Sequence, residues 1–255
     1  MTHAQEKAFR QAASRHGRRK TGRSLCEGRR CCAELLTRRP DDVEFVLLSA
    51  PCGDLELRRR CESLPCPVET VRDATLAEFA TTESPQGIVV LFKTPPPNDL
   101  SAPPPDPLLL VLDGLADPGN LGTLLRTAWA VGLQQVCLTT GTTDPYAPKT
   151  IRAGMGAQFA LTLSLAPELG HVRDRLIEWG WGDLWLAVPA GGVDAFSEAF
   201  TLQDAALVIG GEAHGVSDTT VGRPVSLPMP GTAESLNAAQ AATVLLFDAV
   251  RRGVL

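Results

Sequence analysis

What most restricts the fold of this 255-residue chain is an alternation, from residue 108 onward, of short apolar runs with longer amphipathic ones. Strand-length runs fall at 108–112, 135–139, 159–165, 184–188, 206–209 and 225–229, and helical spacing falls at 120–131, 168–179 and 235–252. Strands covered on both faces read as unbroken apolar stretches, and strands that alternate with helices pair in parallel. The segment therefore predicts an α/β fold on a mainly parallel sheet. No run approaches the ~20 apolar residues of a membrane helix, so no membrane partner is expected.

Ahead of this region, TPPPNDLSAPPPDP at 94–107 carries seven prolines. Proline removes backbone donors and favours extended geometry, so the stretch predicts a semi-rigid linker. The expected domains are then 1–93, the linker 94–107, and 108–255. The front part also alternates, with helical patterns at 27–39, 54–64 and 76–80 and strand patterns at 43–48, 68–71 and 87–92. A smaller N-terminal α/β domain follows from that pattern.

The formal net charge of −5 hides an asymmetry. Residues 1–40 hold eleven Lys/Arg against three acids, a net of +8, which leaves −13 on the remainder. A basic block on an acidic body suggests a polyanionic partner held at one end, although a solvated, partly disordered tail has the same composition. The seven cysteines (26, 31, 32, 52, 61, 66 and 137) form no CxxC pair. Free thiols in a reducing cytoplasm are the expectation, with no metal site.

In a parallel sheet, ligands lie in loops beyond the carboxyl ends of the strands. Four such loops stand out. DGLADPGNLGTLLRTA, 113–128, places Asn120 as a helix N-cap and Arg126 less than two turns on. PYAPKTIRAGMG, 145–156, places Lys149 and Arg152 on one helical face. VIGGEAHGV, 208–216, delivers Glu212 after two glycines that permit close backbone approach. SLPMPGTAESLNAAQAATVLLFDAVRR, 226–252, puts Ser235 and Asn237 at the start of a long apolar helix. A dinucleotide fingerprint of the GxGxxG kind is absent, which argues against a nucleotide-dependent oxidoreductase.

Taken in this order, NLGTLLRTA (120–128), LVIGGEAHGVS (207–217) and LPMPGTAESLNAAQAA (227–242) resemble the motifs of the SpoU/TrmH family of RNA ribose methyltransferases, in the SPOUT class. DPYAPKTIRAGMGAQF (144–159) is also similar, and EGRR (27–30) with TTESPQGI (81–88) resembles that family's substrate-binding domain, akin to ribosomal proteins. The sequence departs from the pattern in SLNAAQAA, where branched residues are usual, and at Gly154, where serine is common.

The resemblance implies a C-terminal trefoil-knotted domain, a homodimer, S-adenosylmethionine as cofactor and a ribose 2′-hydroxyl in structured RNA as acceptor, large-subunit ribosomal RNA more than transfer RNA. It also implies that Thr139, Gly210, Leu227 and Leu236 line the cofactor pocket. Arg126, Asn120, Glu212, Ser235 and Asn237 would surround the reacting ribose, with Glu212 paired to Arg126. An arginine is a poor base, so Arg126 is expected to bind phosphate or stabilise a developing alkoxide. Phosphate contacts are expected from Arg18, Arg19, Lys20, Arg23, Arg29, Lys149 and Arg152. A transfer-RNA enzyme and a non-catalytic RNA-binding factor on the same fold are the competing expectations.

Overall fold

The computed structural model describes residues 1–255 except Pro51, Cys52 and Ser84. The chain divides into two compact units, Met1–Pro96 with Asp144–Ala160, and Pro97–Thr143 with Leu161–Leu255.

The first unit opens with two helices, α1 (His3–Ala13) and α2 (Arg15–Thr21), followed by β1 (Arg23–Glu27), α3 (Arg29–Arg38), β2 (Val43–Ser49), α4 (Leu55–Glu62), β3 (Val68–Val71), α5 (Asp73–Phe79) and β4 (Ile88–Lys93). The strands form one sheet in the order β1-β4-β2-β3, in which β4 runs antiparallel to both of its neighbours and β3 parallel to β2. The basic N-terminus is thus ordered helix, not tail. Its amphipathic spacing buries Phe9 and Ala12 of α1 with Phe45 and Phe79, and the Phe9 ring meets both others edge-on. The helical pattern expected over 27–39 is shorter than its sequence spacing. Residues 23–27 pair with β4, and Gly28, at φ 88, turns the chain into α3.

The second unit begins inside the proline-rich stretch. Asn98 bridges to Ser164 and Leu100 is buried in the unit's core, so this part of the stretch expected to be a semi-rigid linker is built into the fold. Its elements begin with β5 (Leu108–Asp113), α6 (Pro118–Ala130) and β6 (Gln135–Thr139). The chain then contributes α7 (Pro148–Gly154) and α8 (Ala157–Ala160) to the first unit. There Tyr146 and Phe159 pack on Phe92, and the Ser24 hydroxyl donates to the Tyr146 carbonyl at 2.5 Å. The sequence reading kept 144–160 with the rest of 108–255. The aromatic side chains of this segment have their partners on the first unit's sheet instead.

The second unit resumes with β7 (Thr162–Ala166), α9 (Leu169–Trp179), β8 (Leu184–Ala187), β9 (Val193–Asp194), β10 (Ala205–Gly210), β11 (Arg223–Ser226) and α10 (Ala238–Arg251). Phe159, expected to open a strand, lies in α8. The seven strands form one sheet, β7-β6-β5-β10-β8-β11-β9, and every pair in it is parallel. Each residue of β5, β6 and β10 is buried, as covering on both faces requires. Because the strands share one direction, Asp113, Thr139, Gly210 and Ser226 end on the same edge.

Candidate active site at the carboxyl edge of the parallel sheet

Three of the loops that leave that edge, those after β5, β10 and β11, have sequences that dictate how they close on one another. After β5, Asp117 caps α6 by accepting from the Asn120 N–H at 2.8 Å, and Pro118 takes the first helical position, where its missing donor costs nothing. Asn120 was expected to be that cap. With Asp117 in the role, the Asn120 side chain is free for other work.

After β10, Gly210 and Gly211 are required by contact. A Cβ on Gly210 would lie 2.2 Å from the Gly215 carbonyl carbon, and one on Gly211 would lie 2.7 Å from the Gly114 oxygen. The loop folds back at once, with the Gly215 N–H donating to the Gly211 carbonyl at 2.8 Å. Glu212 and His214 are thereby held exposed at the sheet edge. After β11, the chain passes Leu227 and Met229 to Asn237, whose side chain caps α10 by accepting from the N–H groups of Ala239 and Gln240. Ser235 lies two residues ahead of this cap, exposed, where the sequence spacing had started the helix.

A chain of side-chain hydrogen bonds ties the three loops. The Asn120 amide donates to Glu212 Oε1 at 2.5 Å and its oxygen accepts from the Asn237 amide at 3.2 Å. Asn120 therefore joins residues 92 and 117 positions away in the sequence. Beneath them, Asp113 is 3% exposed; one carboxylate oxygen accepts from the Thr139 hydroxyl at 2.6 Å and the other from the Ser217 N–H at 2.7 Å. The sequence reading passed over Asp113. A carboxylate at the end of a fully apolar strand was the signal for it, because a buried charge needs fixed donors.

Beside this chain opens a cleft of about 590 Å³ whose wall includes Gly210, Leu227, Met229, Ser235, Leu236 and Leu245. Glu212, His214 and Asn237 also border it. The size falls within the range of small-ligand sites, which join apolar walls to a few fixed polar groups, as here. Gly210, Leu227 and Leu236 border this cleft. Thr139 does not; its hydroxyl is spent on Asp113 and on the Gly114 N–H at 3.2 Å, so it supports the loops from below.

Arg126 lies exposed on α6, about 9 Å along the helix axis from Asn120. The expected pairing with Glu212 is absent. Among the described residues Arg126 makes no ion pair or hydrogen bond, and Glu212 accepts from Asn120.

In the first unit, several cations expected to meet phosphate are committed to the fold. Arg18 is 8% exposed and donates to Asp144 at 2.7 Å and to the Ala13 carbonyl. Arg23 chelates Glu44. Arg29 donates to the Gln86 carbonyl at 3.2 Å, and Arg152 reaches Glu27 and Thr81, the latter at 2.9 Å. Arg19, Lys20 and Lys149 are exposed. No group of three or more potential metal ligands occurs among the described residues. Six described cysteines are free; burial pushes the Cys31 and Cys137 thiols up to about 12. Cys52 lies outside the described residues.

An all-parallel α/β sheet with a glycine-walled cleft at its carboxyl edge, and polar side chains from three loops joined at the rim, defines an enzyme of the small-ligand-binding α/β class. Comparison with known proteins gives the family. Residues 107–247 match the model of the SpoU rRNA Methylase family. The chain is 31% identical to rRNA methyltransferase 3, mitochondrial, of Mus musculus, over 94% of this chain and 70% of that protein. It is 30% identical to the 23S rRNA (guanosine(2553)-2'-O)-methyltransferase RlmP of Bacillus subtilis, over 90% and 89% of the two chains. Among solved structures, the SpoU methyltransferase AviRb from Streptomyces viridochromogenes, in complex with the cofactor AdoMet, superposes with a TM-score of 0.83 at 27% identity, covering 98% of this chain and 99% of that one. The chain belongs to the SpoU rRNA methylase family and is an S-adenosylmethionine-dependent RNA methyltransferase.

Proposed function

We propose that the protein transfers a methyl group from S-adenosylmethionine to a ribose 2′-hydroxyl of large-subunit ribosomal RNA. The observation that carries this reading is the Glu212–Asn120–Asn237 chain, which gathers three distant stretches at the rim of one cleft. The relatives named above, rRNA methyltransferases, support the acceptor.

When bound, S-adenosylmethionine supplies a methyl group on a sulfonium, an electrophile that needs no protein-derived group. Gly210, Leu227 and Leu236 would hold its adenosyl end. The remaining work belongs to the chain's own side chains. A sugar hydroxyl is barely ionised at neutral pH, so negative charge on the attacking oxygen must be stabilised as it develops. Arg126, with no ion pair among the described residues, can present its guanidinium to that oxygen or to the adjoining phosphate. Asn120, fixed on one side by Glu212 and on the other by the helix cap Asn237, would orient the ribose, and Ser235 offers a hydroxyl at the rim. Held in this geometry, the acceptor gains the rate advantage of a positioned reactant, worth several kcal/mol.

Four further assignments belong to this reading. The family's knotted threading of the chain is compatible with the strand order, in which β10 lies between β5 and β8. The first unit would bind the RNA. A homodimer would form through α10, where Val244, Phe247 and Val250 recur every third residue and Phe247 is 51% exposed. The action would be cytoplasmic, in keeping with six free cysteines; among the described residues no helix is long and apolar enough to cross a membrane.

Calorimetry with S-adenosylmethionine tests the cleft, and transfer of labelled methyl to ribosomal RNA from cells lacking the gene tests the acceptor. Binding and transfer are the expected results. Absence of binding removes the reading, and transfer to transfer RNA alone replaces the acceptor.

A further inference from the structure

The two N-terminal helices form a groove that the active site does not explain. Ser14 alone joins them, ending α1 and capping α2 by accepting from the Gly17 N–H at 3.0 Å. Gly17 is forced by the closeness of the turn, since a Cβ there would lie 2.0 Å from the Gln11 oxygen. The angle between the helices is therefore fixed by contact. Phe9 and Ala12 fill the inner side of α1, and Arg18 turns inward from α2 to Asp144. The outer sides meet in a groove of about 390 Å³ lined by His3, Glu6, Lys7, Arg10, His16 and Lys20, among others.

Three cations in this groove, Lys7, Arg10 and Lys20, face a single acid, Glu6. Among the described residues Lys7, Arg10 and Lys20 form no ion pair, and Arg10 only stacks over the Phe79 ring, 5.5 Å from its centre. A chain with a net charge of −5 thus concentrates unpaired cations on one face of one helical hairpin. Clustered like charges cost energy in the free protein, and a polyanion returns that cost by releasing its counterions.

We propose that this groove is a docking site for the phosphodiester backbone of the substrate RNA, with Lys7, Arg10 and Lys20 as the phosphate-binding cations. The proposal rests on the RNA methyltransferase reading and gives it a place of contact. It also divides the basic N-terminus into two sets. Arg18 and Arg23 hold the fold, and the groove cations hold the ligand.

The test is fluorescence anisotropy of the full chain with a labelled mixed-sequence single-stranded RNA, from about 50 to 200 mM salt. The variant Lys7→Gln/Lys20→Gln changes only exposed side chains. Each lost single-strand contact makes the log–log salt slope shallower by about 0.7, so the double variant should lose about 1.4 of slope and bind about 25-fold more weakly at 0.1 M salt. An affinity and slope equal to the wild type would overturn the groove. Equal competition by polyglutamate of matched charge would overturn RNA as its ligand. Calorimetry with S-adenosylmethionine on the same two proteins separates the hypotheses. Retained cofactor binding in the weakened variant supports the groove, and a wild type without RNA affinity overturns it. A failure of cofactor binding alone counts against the catalytic reading, not the groove.

Discussion

Replacing Asp113 tests whether the loop after β10 is held to the ends of β5 and β6 by one carboxylate. In Asp113→Ala, the buried Thr139 hydroxyl and the part-buried Ser217 N–H both lose their acceptor. Hydrogen bonds to a charged group contribute about 1.5–3 kcal/mol each, so the loss of two should be about 3–6 kcal/mol. At about 2–4 °C per kcal/mol for a chain of this size, the melting temperature should fall by roughly 10 °C. Asp113→Asn differs, because its oxygen can still accept from Ser217 while its amide faces a hydroxyl that can turn to accept. That variant should lose only about 1 kcal/mol. Since Ser217 anchors the loop that carries Gly210 and Glu212, cofactor affinity should fall about tenfold in the alanine variant and little in the asparagine one. Thermal denaturation and calorimetry measure the two effects. An alanine variant as stable as the wild type, with the same cofactor affinity, would refute the reasoning.

Arg126→Ala should lower kcat by about 10²–10³ with cofactor binding intact, as measured by single-turnover methyl transfer and calorimetry. Arg18→Ala leaves Asp144 without its cation and should cost about 3 kcal/mol in denaturant unfolding, with no change in the RNA salt slope. Among the described cysteines Cys66 is half-buried and the other five are buried, and its thiol is raised less than those of Cys31 and Cys137, so in a Cys52→Ser background alkylation of the native protein near pH 8 should label it alone by mass spectrometry. Burial holds Cys31 and Cys137 as neutral thiols near 12, and those two, with Cys26, should react only after unfolding.

The parallel sheet was legible because β5, β6 and β10 are buried on both faces, which leaves an uninterrupted apolar signature. The residues of the site were legible as residue types in loops after such strands, and the family motifs set them in order. What escaped was long-range. Nothing local in RSLCE distinguishes a strand from the start of a helix, since pairing with β4 decides it. The helical hairpin at the N-terminus is masked by its charge, although Phe9 and Ala12 repeat on one face. Residues 144–160 follow a strand of one unit yet fill the other, because the hydrophobic partners of Tyr146 and Phe159 lie there. Pairing within the site was equally hidden. Charge suggested Glu212 with Arg126, whereas the capping of α6 by Asp117 freed Asn120 to take Glu212 instead.

The most direct measurement starts with methyl-labelled S-adenosylmethionine, the purified protein and ribosomal RNA from cells without the gene, followed by complete alkaline hydrolysis. Methylation of a 2′-oxygen blocks cleavage of the next phosphodiester, so the label should emerge in an alkali-resistant dinucleotide. Label recovered in single nucleotides, which marks a methylated base, or no label in the RNA at all, would contradict the account.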